Sequence, residues 1–156
     1  LDGGTTSLAL VDALPRTQPG TVITHSPTIA AALLDHVGDV FLIGGQLFKH
    51  SAVACGAAAV EAAGRISADL FFVGVTGIHP TAGLTTGDAD EAAMKRALAA
   101  RAADTYVLGS DEKIGTASRY EVLALDAVTA IIADAAEADP TARALAARGV
   151  TLLHAR

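Results

Sequence analysis

Clusters of glycine, hydroxyl and charged residues recur along this chain where short apolar runs end. The first, Asp2-Gly3-Gly4-Thr5-Thr6, leads into the apolar stretch Ser7–Leu14, which Pro15 stops. It reads as the end of a buried strand, a glycine turn and the start of a helix. Such a turn leaves backbone N–H groups and hydroxyls at a helix N-terminus, where the dipole favours negative charge. That is chemistry for holding a phosphate, although a Gly-Thr turn also serves simply as a helix cap. Thr24-His25-Ser26, Gly44-Gly45, Gly74-Val75-Thr76-Gly77 and Gly109-Ser110-Asp111-Glu112-Lys113 repeat the pattern at later strand ends. Thr24 and Ser26 have hydroxyls for a ligand, and Ser26 equally has the place of a helix cap. His25 has no orienting carboxylate near it in sequence, so a hydrogen-bonded structural or binding role is favoured over a general base. Lys113, in a loop ending at Gly115, is a candidate for anion contact or a solvated lysine.

The richest segment runs from Gly83 to Arg96. Asp88 followed at the third position by Glu91 resembles a capping box, and Glu91 and Lys95 share one helical face in the order that suits an ion pair. One reading is a well-capped, solvated helix start. The other sets Thr86, Asp88 and Glu91 against a sugar's hydroxyls, with Lys95 orienting Glu91 or meeting a phosphate.

These groups need a scaffold, and the apolar pattern supplies one. Strands are predicted at Thr21–Thr24, Asp39–Ile43, Leu70–Val73, Thr105–Leu108, Val128–Ile132 and Val150–Leu153. Helices are predicted at Ser7–Leu14, after Ser26-Pro27, at Ala57–Ala63, at about Ala89–Ala103 and from Asp139-Pro140 to Gly149. Continuously apolar strands alternating with helices imply an α/β, Rossmann-like fold, a mostly parallel sheet with helices on both faces. Ligands in such folds sit at the carboxyl ends of the strands, where the glycine and hydroxyl clusters fall. Ala135-Ala136-Glu137-Ala138 reads as a surface connection.

The 156 residues make one domain, spanning residues 1–156. Net charge is −6, the wrong sign for a nucleic-acid surface. The single cysteine, Cys55, excludes an internal disulfide or a cysteine-based metal cluster and reads as a small buried hydrophobe. His36, His50, His79 and His154 have no metal-ligand spacing, so neither a metal nor a cofactor is expected. No apolar run reaches membrane-spanning length and no signal-peptide pattern appears, so a soluble, cytoplasmic protein is expected.

The ordered set of these pieces resembles the C-terminal sensor domain of the DeoR family of bacterial transcriptional regulators. It runs from Asp2-Gly3-Gly4-Thr5-Thr6 through Val22–Ser26, Leu42-Ile43-Gly44-Gly45, Gly56 and Ile66–Asp69. It continues with Gly77-Ile78, Gly83-Leu84-Thr85, Glu91–Ala97, Lys113 with Gly115, and a late strand ending at Asp134. The resemblance implies the fold of ribose-5-phosphate isomerase, CoA transferases and glucosamine-6-phosphate deaminase, used to bind a phosphorylated sugar or related metabolite, normally without turnover. It implies an N-terminal winged helix-turn-helix, absent from this chain, that reads DNA. A homo-oligomer and a repressor role are implied with it. By carry-over, Gly3–Thr6 (Gly3, Gly4, Thr5, Thr6) hold the phosphate, Asp2 stands beside them among the ligand-binding residues, and Thr24, His25, Ser26, Gly44 and Gly45 shape the pocket. Thr76, Gly77, Thr86, Asp88, Glu91, Lys95 and Lys113 complete its lining. Gly44-Gly45 and the Thr81–Asp88 loop are its expected moving parts.

Two departures matter. Where related isomerases have an acidic strand end, this chain has Thr76. Where the family often has Ala-Asp-x-Ser-Lys, this chain has Gly109–Lys113. The alternative, a sugar-phosphate isomerase or deaminase, is weakened because proton transfer beside a carbonyl needs a positioned base. Asp69 lies at the start of its strand, away from the pocket.

Overall fold

A computed structural model gives the fold of residues 1–136 and 139–155. The elements run α1 (Thr5–Ala13), β1 (Thr21–Thr24), α2 (Pro27–Ala32), β2 (Asp39–Leu42), β3 (Gln46–Phe48), β4 (Val53–Cys55), α3 (Ala57–Ala63) and β5 (Ala68–Gly74). Then come β6 (Gly77–His79), β7 (Gly83–Thr86), α4 (Ala89–Ala99), β8 (Ala102–Leu108), β9 (Tyr120–Leu123), β10 (Ala130–Ala133), α5 (Pro140–Ala147) and β11 (Leu152–His154). Each predicted strand and helix has a counterpart; β1 and α3 keep the predicted bounds, and the ends of most others are shifted.

The centre is a parallel sheet in the order β11-β10-β8-β5. Its strands are rich in Val, Ile and Ala, which suit a sheet covered by helices. β1 and β2 form a second parallel pair. Residues 1–2 link the two. The Leu1 nitrogen donates to the Ile23 carbonyl of β1, and the Asp2 N–H donates to the Phe72 carbonyl of β5. Asp2 therefore enters the site from between two strands.

Two apolar clusters hold the layers. The smaller, Val11, Ile29 and Leu33, joins α1 and α2 to β1 and β2. The larger runs from Ile43 and Val53 through Val73, Ile78, Leu84 and Met94 to Val107, Ile131 and Leu145. It includes Cys55, which is buried as expected.

The structure departs from the sequence reading in four places. α4 ends at Ala99 rather than near Ala103, because Ala102 and Ala103 are drawn into β8 by pairing with β5. The segment expected as a mobile loop at Thr81–Asp88 contains β7, buried throughout and paired to β6 and β9 in an antiparallel sheet. A further antiparallel hairpin, β3–β4, was not foreseen. Ala135, expected on the surface, is buried, and Glu137 and Ala138 of the same stretch lie outside the described residues.

Candidate functional site

The site is built around a carboxylate with no access to solvent. One oxygen of Asp2, Oδ1, accepts the Gly3 N–H and faces Nε2 of His25, each at 2.8 Å. Oδ2 accepts the Gly74 N–H at 2.8 Å and the Lys95 ammonium at 2.5 Å. Burial by itself would push this carboxyl up. The Lys95 charge, then the hydrogen bond and charge of His25, outweigh burial and hold it well below its ordinary value. Three donors and the facing His25 ring on one buried carboxylate tie together the N-terminal turn, the end of β1, β5 and α4.

His25 carries the tie outward. Its Nδ1 lies 2.8 Å from the Ala54 carbonyl, and the Ala54 N–H donates back to the His25 carbonyl at 2.7 Å. The Ser26 hydroxyl donates to the Ala52 carbonyl and also caps α2 through the Ile29 N–H. Thr24 accepts the Ser26 N–H. His25 and Ser26 brace the β3–β4 hairpin, Thr24 steadies Ser26, and all three are buried behind the pocket rather than lining it.

Beyond Asp2 the chain turns at Gly3 and Gly4. A Cβ on Gly3 would lie 2.3 Å from the Val53 side chain, and Gly4 has φ +99°, a backbone that favours glycine. Gly4 is the N-cap of α1 and supplies no side-chain cap. The first N–H groups of α1 therefore open, with the Thr5 and Thr6 hydroxyls, into a cavity of about 340 Å³. Lys113 reaches the same cavity from the short turn after β8.

The opposite wall is acidic. Asp88 caps α4, its Oδ1 accepting the Asp90 and Glu91 N–H groups at 2.9 and 3.0 Å. Glu91 is 7% exposed, lines the cavity, and among the described residues its carboxylate accepts no hydrogen bond. The pair that the spacing of Glu91 and Lys95 suits is not made: Lys95 turns to Asp2, and both are buried, while Gly87, Ala89 and Asp90 at the helix start are exposed. Burial, and after it the Glu91 carboxylate, pushes the nearby Cys55 thiol up to about 11.

Of the sequence-derived candidates, Asp2, Gly3, Gly4, Thr5, Thr6, Thr76, Thr86, Asp88, Glu91, Lys95 and Lys113 meet at this cavity. Gly44, Gly45 and Gly77 do not line it. Gly45 packs against Ala59 and the Cys55 carbonyl, while Gly77 lies where a Cβ would meet Thr116 and Thr85. Thr76 is tied to the Thr85 carbonyl and to the Ser118 hydroxyl, 2.7 Å away. Sequence reasoning missed the lip: Phe48, His50, Ser51 and Val53, all from the β3–β4 hairpin. The polar break Lys49-His50-Ser51 between Leu47-Phe48 and Val53 is the signal that marks such a hairpin. Among the described residues, no group of three or more His, Cys, Asp or Glu could hold a metal ion.

The chain that builds this site is similar to known proteins. The family model of the DeoR C terminal sensor domain matches residues 1–135. The chain belongs to that family. It is 32% identical to the HTH-type transcriptional regulator FruR of Bacillus subtilis, over 88% of this chain and 55% of FruR. It is 29% identical to the HTH-type transcriptional regulator GlpR of Haloferax volcanii, over 97% of this chain and 60% of GlpR. The transcriptional repressor GlcR of Bacillus subtilis is 30% identical, over 73% of this chain and 44% of GlcR. The chain thus spans about half the length of these relatives, from 44% to 60%. No helix among the described residues is long and apolar enough to cross a membrane.

Proposed function

We propose that this sensor domain binds a phosphorylated sugar in the Asp2–Lys113 cavity, and that binding alters how a DNA-binding domain elsewhere in the protein holds its operator. The observation that carries the reading is the α1 N-terminus. It opens, uncapped by any side chain, into a pocket whose far wall holds Glu91 without a donor. One end suits an anion and the other suits hydroxyls. The cavity, about 340 Å³, is at the small end of the range for small-molecule sites. In this reading the phosphate lies on Gly3–Thr6 with Lys113, and the sugar hydroxyls meet Thr86, Asp88 and Glu91. The protein acts in the cytoplasm as a repressor of sugar metabolism and works as a homo-oligomer. Ligand must favour one state of the assembly over the other, since equal affinity shifts nothing.

The domain is a binder rather than an enzyme. Thr76 is engaged by Thr85 and Ser118 and is no base. Glu91 is the group an isomerase or deaminase would use, which gives that second reading its one support. Phosphorus NMR of pentose and hexose phosphates with the domain added separates the two. Broadening or shift for one compound, with no new resonance, is the expected result. New resonances growing with time would replace the sensor with an enzyme, and no effect from any compound would remove the ligand class.

A further inference from the structure

Two parallel edges face each other across a second cavity. β1 pairs with β2 and β5 with β8, and among the described residues neither has a strand on its other side. The cavity between them measures about 770 Å³ and is lined by residues 21–23 of β1 and 68–72 of β5. Unpaired edge groups are a template for a further strand, and here both edges offer theirs to the same space. The Asp39 and Ile43 N–H groups donate to the Gly20 and Thr24 carbonyls, so by the alternation of a strand Thr21 and Ile23 face away from β2. On β5 the Phe72 carbonyl accepts the Asp2 N–H and the Gly74 N–H donates to Asp2 Oδ2, which sets Leu70 toward the same side.

Residues 1 and 2 already run in this slot as a strand does. The Leu1 nitrogen donates to the Ile23 carbonyl at 2.6 Å, and the Asp2 N–H to the Phe72 carbonyl at 3.0 Å. Successive N–H groups that turn to opposite neighbours mark a strand held between two partners. Burial, against the pull of Asp2, brings the Leu1 ammonium down to about 6, so its place favours an uncharged nitrogen such as a peptide N–H. Both faces of the slot are apolar. Leu1 and Val22 pack with Leu33 on one side, and Ile23 and Phe71 join the larger cluster on the other.

We infer that the slot takes a parallel β-strand, supplied by the segment that the longer protein joins to the Leu1 nitrogen. The relatives named above extend well beyond their match to this chain, which is the extra length such a segment needs. In the register of residues 1 and 2, the residue directly before Leu1 donates to the Leu70 carbonyl and accepts the Phe72 N–H. The residue before that donates to the Thr21 carbonyl and accepts the Ile23 N–H. The first stands beside Ile23 and Phe71 and the second beside Val22 and Leu70, so a run apolar at every position fits, as in strands covered on both faces. The strand joins the two parallel sheets into one and leads straight to Asp2 and the Gly3-Gly4 turn. This strand site is separate from the ligand reading and stands whether or not a sugar phosphate binds.

Hydrogen exchange of the full-length protein, resolved to single amides, tests the ladder. The Ile23 and Phe72 amides are expected to exchange within about tenfold of Phe71, whose N–H faces β8, whereas on an open edge they would exchange about 100-fold faster or more. Replacing the residue directly before Leu1 by aspartate sets a charge in the slot and identifies the occupant. It is expected to speed both amides by about tenfold or more, or to unfold the domain, since neither follows from a charge in a solvated linker. Fast exchange at Ile23 and Phe72 in the native protein overturns the proposal. So does slow exchange that the aspartate leaves unchanged, which would mean that a strand from elsewhere fills the slot.

Discussion

The floor and the far wall of the pocket are both lined by buried charge, and they differ in whether that charge is answered. On the floor, Asp2 receives donors from Gly3, Gly74 and Lys95 and faces His25, so each oxygen is matched within the protein. On the wall, Glu91 is 7% exposed, its carboxylate opens to the cavity, and it receives no donor among the described residues. A matched buried carboxylate organises structure, because its desolvation is offset inside the fold. An unmatched one is kept where something outside the fold supplies the donor. The two acids therefore belong to different tasks, although both lie in motifs of similar composition.

Breaking the floor carries the largest effect. Asp2→Ala removes the shared acceptor and leaves Lys95 buried without its partner. It is expected to cost about 3–5 kcal/mol of stability, read by urea denaturation. An Asp2→Ala protein as stable as wild type would show that the floor is not what holds these elements together.

Acid reaches the same knot without mutation. Asp2 titrates in the fold well below its unfolded value of 3.8, so the unfolded chain binds this proton more readily. Its contribution is complete above that value and is lost as pH falls through it toward the folded value. Urea midpoints are expected to hold between pH 7 and pH 5 as far as this group is concerned, and to drop below about pH 4. In Asp2→Asn the acid drop should shrink.

The anion end comes next. Lys113→Ala or Thr6→Ala is expected to weaken phosphosugar binding by about 10- to 100-fold in titration calorimetry, the size of a lost charge-assisted hydrogen bond, with an unchanged urea midpoint. Unchanged affinity would take those residues out of the site.

Glu91→Gln sharpens the contrast with Asp2 by having effects of opposite sign. Stability is expected to stay level or rise by up to about 1 kcal/mol, because an unmatched buried charge has gone, while sugar affinity falls about 10-fold. A loss of stability like that of Asp2→Ala would mean that the two acids do the same work. The smallest effect is on Cys55, whose thiol is pushed up to about 11 by burial and then by Glu91. Alkylation at pH 8 should be slow in the wild type and modestly faster in Glu91→Gln, without approaching the rate of the unfolded chain.

Much of this was legible in the chain. The apolar runs at Thr21–Thr24, Asp39–Ile43 and Thr105–Leu108 announced parallel strands, and Ser26-Pro27 and Asp139-Pro140 announced helix starts, because capping and periodicity are local. The hairpin lip and the β6-β7-β9 sheet were not legible. Their strands are three or four residues long, too short for alternation to register, and are held by pairing to distant segments. The roles of Lys95 and His25 were hidden for the same reason. Local spacing offered Glu91 to Lys95 and no acid to His25, yet Asp2, remote in sequence from both, is the acid each one meets.

By itself, then, the sequence determined the α/β class, the capped helices, the glycine turn at Gly3-Gly4 and the family. These depend on short-range backbone preference and on patterns read in order. Only the tertiary structure decided which acid is matched by donors of the fold, which side chains face the cavity, and that β2, among the described residues, pairs with β1 alone. Those outcomes depend on hydrogen bonds and burial between segments far apart in the chain, where a carboxylate's partner is set by which strand lies beside it.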